Sequence, residues 1–197
     1  MKQSRKFPLT RLRRTRQNTA LRNLVAENTL STNDLVQPIF IKEGLKGKES
    51  IESLPGVSRL GLDVLNDEIR ELEEAGIQAV ALFPVIDPNK KDEQGKESLN
   101  EDNLISQAIK QIKSFSEMVI IADVALDPYT SHGHDGLLDS KGYVENDSSL
   151  TVLTEQALAL AKAGADIVAP SDMMDGRILS IRKALEKNGF VNTLILS

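Results

Sequence analysis

One pattern recurs three times in this chain and limits its fold more than any other feature. A segment with helical periodicity ends at a glycine, and a short apolar run comes next. Gly76 precedes Ala79-Val-Ala-Leu-Phe-Pro-Val85, Gly164 precedes Asp166-Ile-Val-Ala169, and Gly189 precedes Thr193-Leu-Ile-Leu-Ser197. Just past a helix the backbone turns through a left-handed conformation, which glycine adopts without a Cβ penalty. Helix, glycine, strand, repeated, is the punctuation of βα units, so the sheet is expected to be parallel. The helices are legible from their apolar stripes. The first shows Leu62, Leu65, Ile69 and Leu72, and the second (residues 102–115) shows Ile105, Ala108, Ile109, Ile112 and Phe115. Leu153, Ala157, Leu160 and Ala161 mark the third, which Ser148 or Ser149 can cap; Ile178, Ile181 and Leu185 mark the fourth, over residues 175–188. A further strand, Leu35-Val-Gln-Pro-Ile-Phe-Ile41, opens the series after a short helical stretch over residues 19–28. Residues 46–53 read as a polar connection, residues 87–100 as a charged loop, and residues 137–147 as a small hairpin.

Met118-Val-Ile-Ile-Ala122 reads as a buried strand, and the segment after it is unusual. Asp123-Val-Ala-Leu-Asp-Pro-Tyr-Thr-Ser-His-Gly-His-Asp-Gly136 packs three aspartates and two histidines into fourteen residues. A solvated loop with Asp-Pro and His-Gly turns is the plain reading of such residues one at a time. Their density argues for a site, because clustered carboxylates repel or titrate unless something binds between them. Parallel sheets present chemistry at the carboxyl ends of their strands, in a barrel or in a doubly wound sheet. No Gly-x-Gly-x-x-Gly and no phosphate-cradling Gly-Lys-Ser/Thr loop comes after any strand, so nucleotide binding has no positive sign. Polar residues at several strand ends (Asp123, Ser171, Ser197) favour the barrel.

Composition narrows the setting. At 197 residues, 40% of them hydrophobic, the chain can bury a core but is short of the roughly 250 residues of a closed eight-fold barrel. It has no cysteine, which removes disulfides and thiolate metal sites and suits a reducing cytoplasm. No run approaches the roughly 20 apolar residues of a membrane span, so no membrane role is expected. Charge is unevenly spread. Residues 1–26 carry eight basic residues (Lys2, Arg5, Lys6, Arg11, Arg13, Arg14, Arg16, Arg22) and no acid, leaving 16 basic against 29 acidic in the remainder. We therefore divide the chain into a basic arm (1–28) and an α/β domain (29–197). Such an arm can be a disordered tail, target an organelle, bind nucleic acid or dock on a sister subunit. With one aromatic, Phe7, and no recognition motif, nucleic acid is not an expected partner.

Asp123-Val, the string Tyr129-Thr-Ser-His-Gly-His134 and Gly136 together resemble the active-site loop of the porphobilinogen synthase (5-aminolevulinate dehydratase) family. Arg11-Leu-Arg-Arg-Thr-Arg16 is similar to that family's arginine-rich arm, and Pro38-Ile-Phe-Ile-Lys-Glu-Gly44, Leu54-Pro-Gly-Val57 and Ala169-Pro-Ser-Asp-Met-Met-Asp-Gly176 extend the likeness over the chain. The resemblance implies a TIM-type (β/α)8 barrel, of which this chain supplies about the first five βα units. It implies condensation of two 5-aminolevulinate molecules to porphobilinogen with loss of two waters. It also implies a homo-oligomer, octamer or hexamer, joined through the arm.

By the same resemblance Asp123 and Ser171 hold a substrate amino group. Ala125, Asp127 and Asp135 stand where the zinc-using branch has three cysteines, so zinc is not expected and Mg2+ or K+ is. Oxygen ligands suit those hard cations. Asp127 and Asp135 are then amine-binding carboxylates or cation ligands. Both Schiff-base lysines of the family would lie beyond Ser197; Lys42 sits at a strand end but matches neither, and the helical lysines read as solvated. His132-Gly-His134 reads as a metal pair or as a hydrogen-bonding scaffold, Tyr129 and Thr130 as loop packing, Asp175 as a helix cap, and Arg177 as partner of a nearby acid. Two alternatives stand beside the enzyme: a truncated, non-catalytic subunit that assembles with full-length copies, and a divalent-metal aldolase or hydrolase using the Asp/His loop.

Overall fold

The computed structural model describes residues 6–197, so Lys2 and Arg5 of the basic arm lie outside the described residues. The chain divides into two compact units, one ending at Asp34 and one spanning Leu35–Ser197. The first holds a 3-10 turn, Leu12–Arg16, and the short helix α1, Thr19–Leu24, neither with a buried side chain. Asn18 caps α1 by accepting from the Leu21 N–H at 2.9 Å, as N-cap side chains do. Its arginines fold onto their own segment: Arg14 donates to the Leu9 carbonyl at 2.7 Å, and the Arg11 guanidinium lies 4.3 Å from the Phe7 ring centre.

The second unit is a seven-stranded sheet in the order β2-β3-β1-β4-β5-β6-β7. Five strands run parallel: β1 (Gln37–Lys42), β4 (Ala79–Val85), β5 (Val119–Val124), β6 (Ile167–Pro170) and β7 (Leu194–Ile195). Helices α2 (Leu65–Glu74), α3 (Leu104–Lys113), α4 (Asn146–Ala163) and α5 (Arg177–Lys187) fill the connections between them. From β1 onward each strand is laid beside the last without reversal, the winding of a barrel rather than of a doubly wound sheet.

Burial agrees with that winding. The row Ile39–Leu82–Ala122–Val168, aligned across four strands, is buried beneath the helices. The opposite face carries Phe40, Ala81, Phe83, Ile121, Asp123 and Ala169, of which only Ile121 is fully buried; Phe40 and Phe83 stack with centroids 5.6 Å apart. The helices therefore cover one face only. Ile105, Ile109, Ile112, Leu153, Leu160, Ile181 and Leu185 form the layer between sheet and helices, each contributing roughly 1.5–3 kcal/mol of burial.

The recurrent glycines do what their positions require. Gly76, Gly164 and Gly189 have φ of 81°, 112° and 84°. In each case the next N–H reaches back to the last turn: Ile77 to the Leu72 carbonyl, Ala165 to Leu160 and Phe190 to Leu185, at 2.9–3.1 Å. That is the Schellman closure. Among the described residues no helix is long and apolar enough to cross a membrane.

Four local expectations are corrected. Within the polar connection lie two three-residue strands, β2 (Lys48–Ser50) and β3 (Ser58–Leu60), antiparallel to each other, with β3 parallel to β1. They are joined by charge rather than by an apolar stripe, since Glu49 pairs with Arg59 at 3.0 Å and with Lys42 at 2.6 Å. Helix α4 starts at Asn146, so Ser149 lies inside its first turn; its hydroxyl bonds to the Glu145 carbonyl and receives the Leu137 N–H. Phe115 lies beyond the end of α3 at the surface, 5.4 Å from the Arg70 guanidinium. Asp175 does not cap α5; Gly176 holds that position with φ 83° and no side-chain cap.

Candidate active site

Asp123 is the last half-exposed side chain of the open face of β5, in register with Ala169 on β6. The ladder continues one step further, where the Ser171 N–H donates to the Val124 carbonyl at 3.3 Å. Ser171 is therefore delivered beside Asp123 by strand pairing. Burial pushes the Asp123 carboxyl up to about 6; the neighbouring Ser171 hydroxyl acts against this, while Asp127, Asp135 and Asp172 add repulsion. Burial also raises Asp127, and the Asp135 charge adds to it. Asp123, Ser171, Asp127 and Asp135 are thus brought within electrostatic reach of one another, as expected of a site rather than of a solvated loop.

The loop that carries these groups is held from two sides. Asp92 forms a parallel bridge with Thr130: the Asp92 N–H donates to the Tyr129 carbonyl, and Ser131 N–H donates to the Asp92 carbonyl at 2.9 Å. The Asp92 carboxylate turns its own loop by accepting from Gln94 and Lys96 N–H groups. On the other side Gly136 approaches α4 so closely that a Cβ there would lie 2.6 Å from Ser149 Oγ and 2.7 Å from Val144 Cγ1. Tyr129 and Thr130 are buried as packing residues, and Thr130 Oγ1 donates to the His134 carbonyl at 3.0 Å. Residues 137–147 do form a hairpin, bridged at Leu138 and Val144. It borders a cavity of about 650 Å³ lined by His134, Asp135, Tyr143, Glu145, Met173 and Asp175.

His132 is held through both ring nitrogens. His132 Nδ1 accepts the His134 N–H at 3.2 Å, and its Nε2 faces the Glu93 carbonyl at 3.3 Å. Both ring nitrogens of His132 are occupied, which leaves that ring no lone pair for a metal. Among the described residues no three His, Cys, Asp or Glu side chains are placed to hold a metal ion. Asp127 and Asp135 offer two carboxylates, a set that suits a hard cation keeping most of its own water and suits a protonated amine as well. Lys42 is engaged by Glu49.

Two residues that bear on the carboxylate cluster escaped the sequence. Lys91, in the charged run after β4, is half-buried and its positive charge lowers Asp127; the Asn-Lys-Lys-Asp run around it reads as solvated loop. Asp172 is 2% exposed, accepts the Met174 N–H at 2.7 Å and meets Arg177 Nε at 3.5 Å. Burial raises its carboxyl, with the Met174 N–H and Arg177 opposing.

A family model described as delta-aminolevulinic acid dehydratase matches residues 9–197. The chain belongs to the delta-aminolevulinic acid dehydratase family. A curated family member from Methanothermus sociabilis is 47% identical over 192 residues, covering 98% of this chain and 59% of its own length. One from Bacillus subtilis is 46% identical over 188 residues, covering 95% of this chain and 57% of its own. The crystal structure of delta-aminolevulinic acid dehydratase from Toxoplasma gondii, in complex with the reaction product porphobilinogen, superposes with a TM-score of 0.92 at 43% identity. That match covers 95% of this chain and 53% of the other. The chain thus spans a little over half the length of these relatives. Its parallel strands are consecutive staves of the (β/α)8-type barrel of that family.

Proposed function

We propose that the ends of β5 and β6 bind the amino group of 5-aminolevulinate during its condensation to porphobilinogen. The observation that carries this is Asp123: a carboxyl raised to about 6 by burial, beside Ser171, and surrounded by further carboxylates. An ammonium entering the cluster relieves the repulsion among Asp123, Asp127 and Asp135 and supplies the donors they lack. A base with a pKa near 6 is also suited to take a proton from that ammonium near neutral pH, freeing the amine to attack a carbonyl carbon. Ser171 orients the pair through its hydroxyl. Lys91 offsets part of the rise at Asp127 beside them. No described lysine takes a Schiff-base role in this reading, and no step runs through a cation.

The basic arm supports a second part of the proposal. Residues 6–26 hold no acid, and the helical segments of the arm bury no side chain of their own. A second copy of the chain, whose α/β unit is strongly acidic, is the partner such a surface suits. The cysteine-free composition suits the cytoplasm as the place of reaction.

Calorimetric titration with 5-aminolevulinate and with levulinate, which lacks the amine, tests the site. We expect 5-aminolevulinate to bind the more tightly, and Asp123→Asn to weaken it about 30-fold, the usual worth of a charged hydrogen bond. Affinity should fall as pH drops through about 6, where Asp123 takes up a proton. Equal affinity for the two acids would overturn the assignment.

A further inference from the structure

We infer that Asp172 and Arg177 are positioning residues: a buried carboxylate–guanidinium strut that shapes the β6–α5 loop so that Ser171 faces Asp123. The inference rests on the amine-binding reading of that pair.

The strut holds both main-chain groups of one residue. Asp172 Oδ1 accepts the Met174 N–H at 2.7 Å, and Arg177 Nη1 donates to the Met174 carbonyl at 3.1 Å. A second clasp comes from the first turn of α4. Asn146 Oδ1 accepts the Asp175 N–H at 2.7 Å, and its Nδ2 donates back to the Asp175 carbonyl at 3.3 Å. Residues 174 and 175 are thereby fixed to two helices, while Ser171 is exposed at the strand end.

The strut is an inefficient way to gain stability. The Asp172 side chain is wholly buried and that of Arg177 is 27% exposed, yet they meet only at 3.5 Å. Neither Asp172 Oδ2 nor Arg177 Nε has a hydrogen-bond partner. Taking charges out of water without satisfying them is unfavourable, and an apolar pair of similar volume commonly serves stability as well or better. What the charged pair supplies is geometry: two side chains closing on the N–H and the carbonyl of a single residue, Met174. Wholly enclosed, Asp172 is not placed to touch a substrate, so it acts through its neighbour Ser171. It also lies within electrostatic reach of Asp123.

Three variants test this: Asp172→Asn, Arg177→Lys, and the double variant Asp172→Asn/Arg177→Met. The double variant removes both charges and guards against the unfolding that one stranded charge could cause. Hydrogen exchange at the Met174 and Asp175 amides reads loop order without substrate, and calorimetry reads the preference for 5-aminolevulinate over levulinate. We expect the double variant to stay folded, exchange at those amides at least tenfold faster, and lose about tenfold in that preference, with Arg177→Lys in between. NMR titration should show the Asp123 midpoint moving down in Asp172→Asn, a response that loop disorder alone would not direct. If the parent discriminates between the two acids and the double variant keeps both exchange and preference within twofold, the strut is overturned while the amine reading stands. If the parent does not discriminate, the amine reading fails and the strut's role falls with it, whatever the exchange shows.

Discussion

The two ends of β5 and β6 carry the same residue type in opposite circumstances. At the end where the strands begin, Asp166 is met at 2.6 Å by Lys113 Nζ and at 2.8 Å by the Ile120 N–H, and Lys113 also donates to the Met118 carbonyl. Donors surround that carboxylate. Where the strands finish, Asp123, Asp127 and Asp172 are all raised, each chiefly by burial. Lys91 and Arg177 offset part of it. One sheet thus holds a carboxylate that ties strands to a helix and a group of carboxylates whose burial works against stability. On the proposed reading, the first end serves the fold and the second the ligand, as in barrels generally.

The largest expected effect lies at the paired end. Asp166→Ala strands the Lys113 ammonium and the Ile120 N–H, and should lower stability by about 2–3 kcal/mol in urea unfolding. A loss below about 0.5 kcal/mol would erase the contrast. Asp123→Asn should act the other way, raising stability by about 1–2 kcal/mol at pH 8 and leaving it unchanged at pH 4. The sign comes from the protons bound. Between the unfolded value near 4 and the folded value of about 6 the native state holds a proton that the unfolded chain has lost. The parent's contribution from Asp123 is therefore complete below pH 4 and gone above pH 6; a rise in stability from pH 4 to 6 that Asp123→Asn abolishes would reverse the picture. The smallest effect is expected at Lys91→Met, which should move the Asp127 midpoint upward in a carboxylate NMR titration with little change in unfolding. An unmoved midpoint would remove Lys91 from the site.

Much of this contrast is readable in the sequence. The helical stripes and the three closing glycines specify the βα order because one period and one backbone conformation encode them. Asp123 is legible because a polar group directly after a buried strand has few places to go. The β2–β3 pair is not, since three-residue strands joined by Glu49 and Arg59 leave no alternating apolar signal. The start of α4 is hard to place because Ser149 does its bonding inside the helix rather than at its cap. Lys91 is hidden because its neighbour Asp127 is distant in sequence, across a helix and a strand. Asp172 is hidden for another reason, since nothing in a polar strand-end run tells its buried carboxylate from its exposed neighbours.

The bridge between Asp92 and Thr130 has a bearing on how the molecule comes into being. It joins the loops of two successive βα units, and the second of Asp123's partners, Ser171, arrives only with the third. A chain emerging from synthesis as far as Gly136 would carry the full acidic string with no Ser171 to complete the pair. On the proposed reading, the pair that holds an amine is completed only when β6 pairs with β5. Ligand capture by this region should for that reason report the progress of assembly, because the two chief contacts lie on strands that must first find each other.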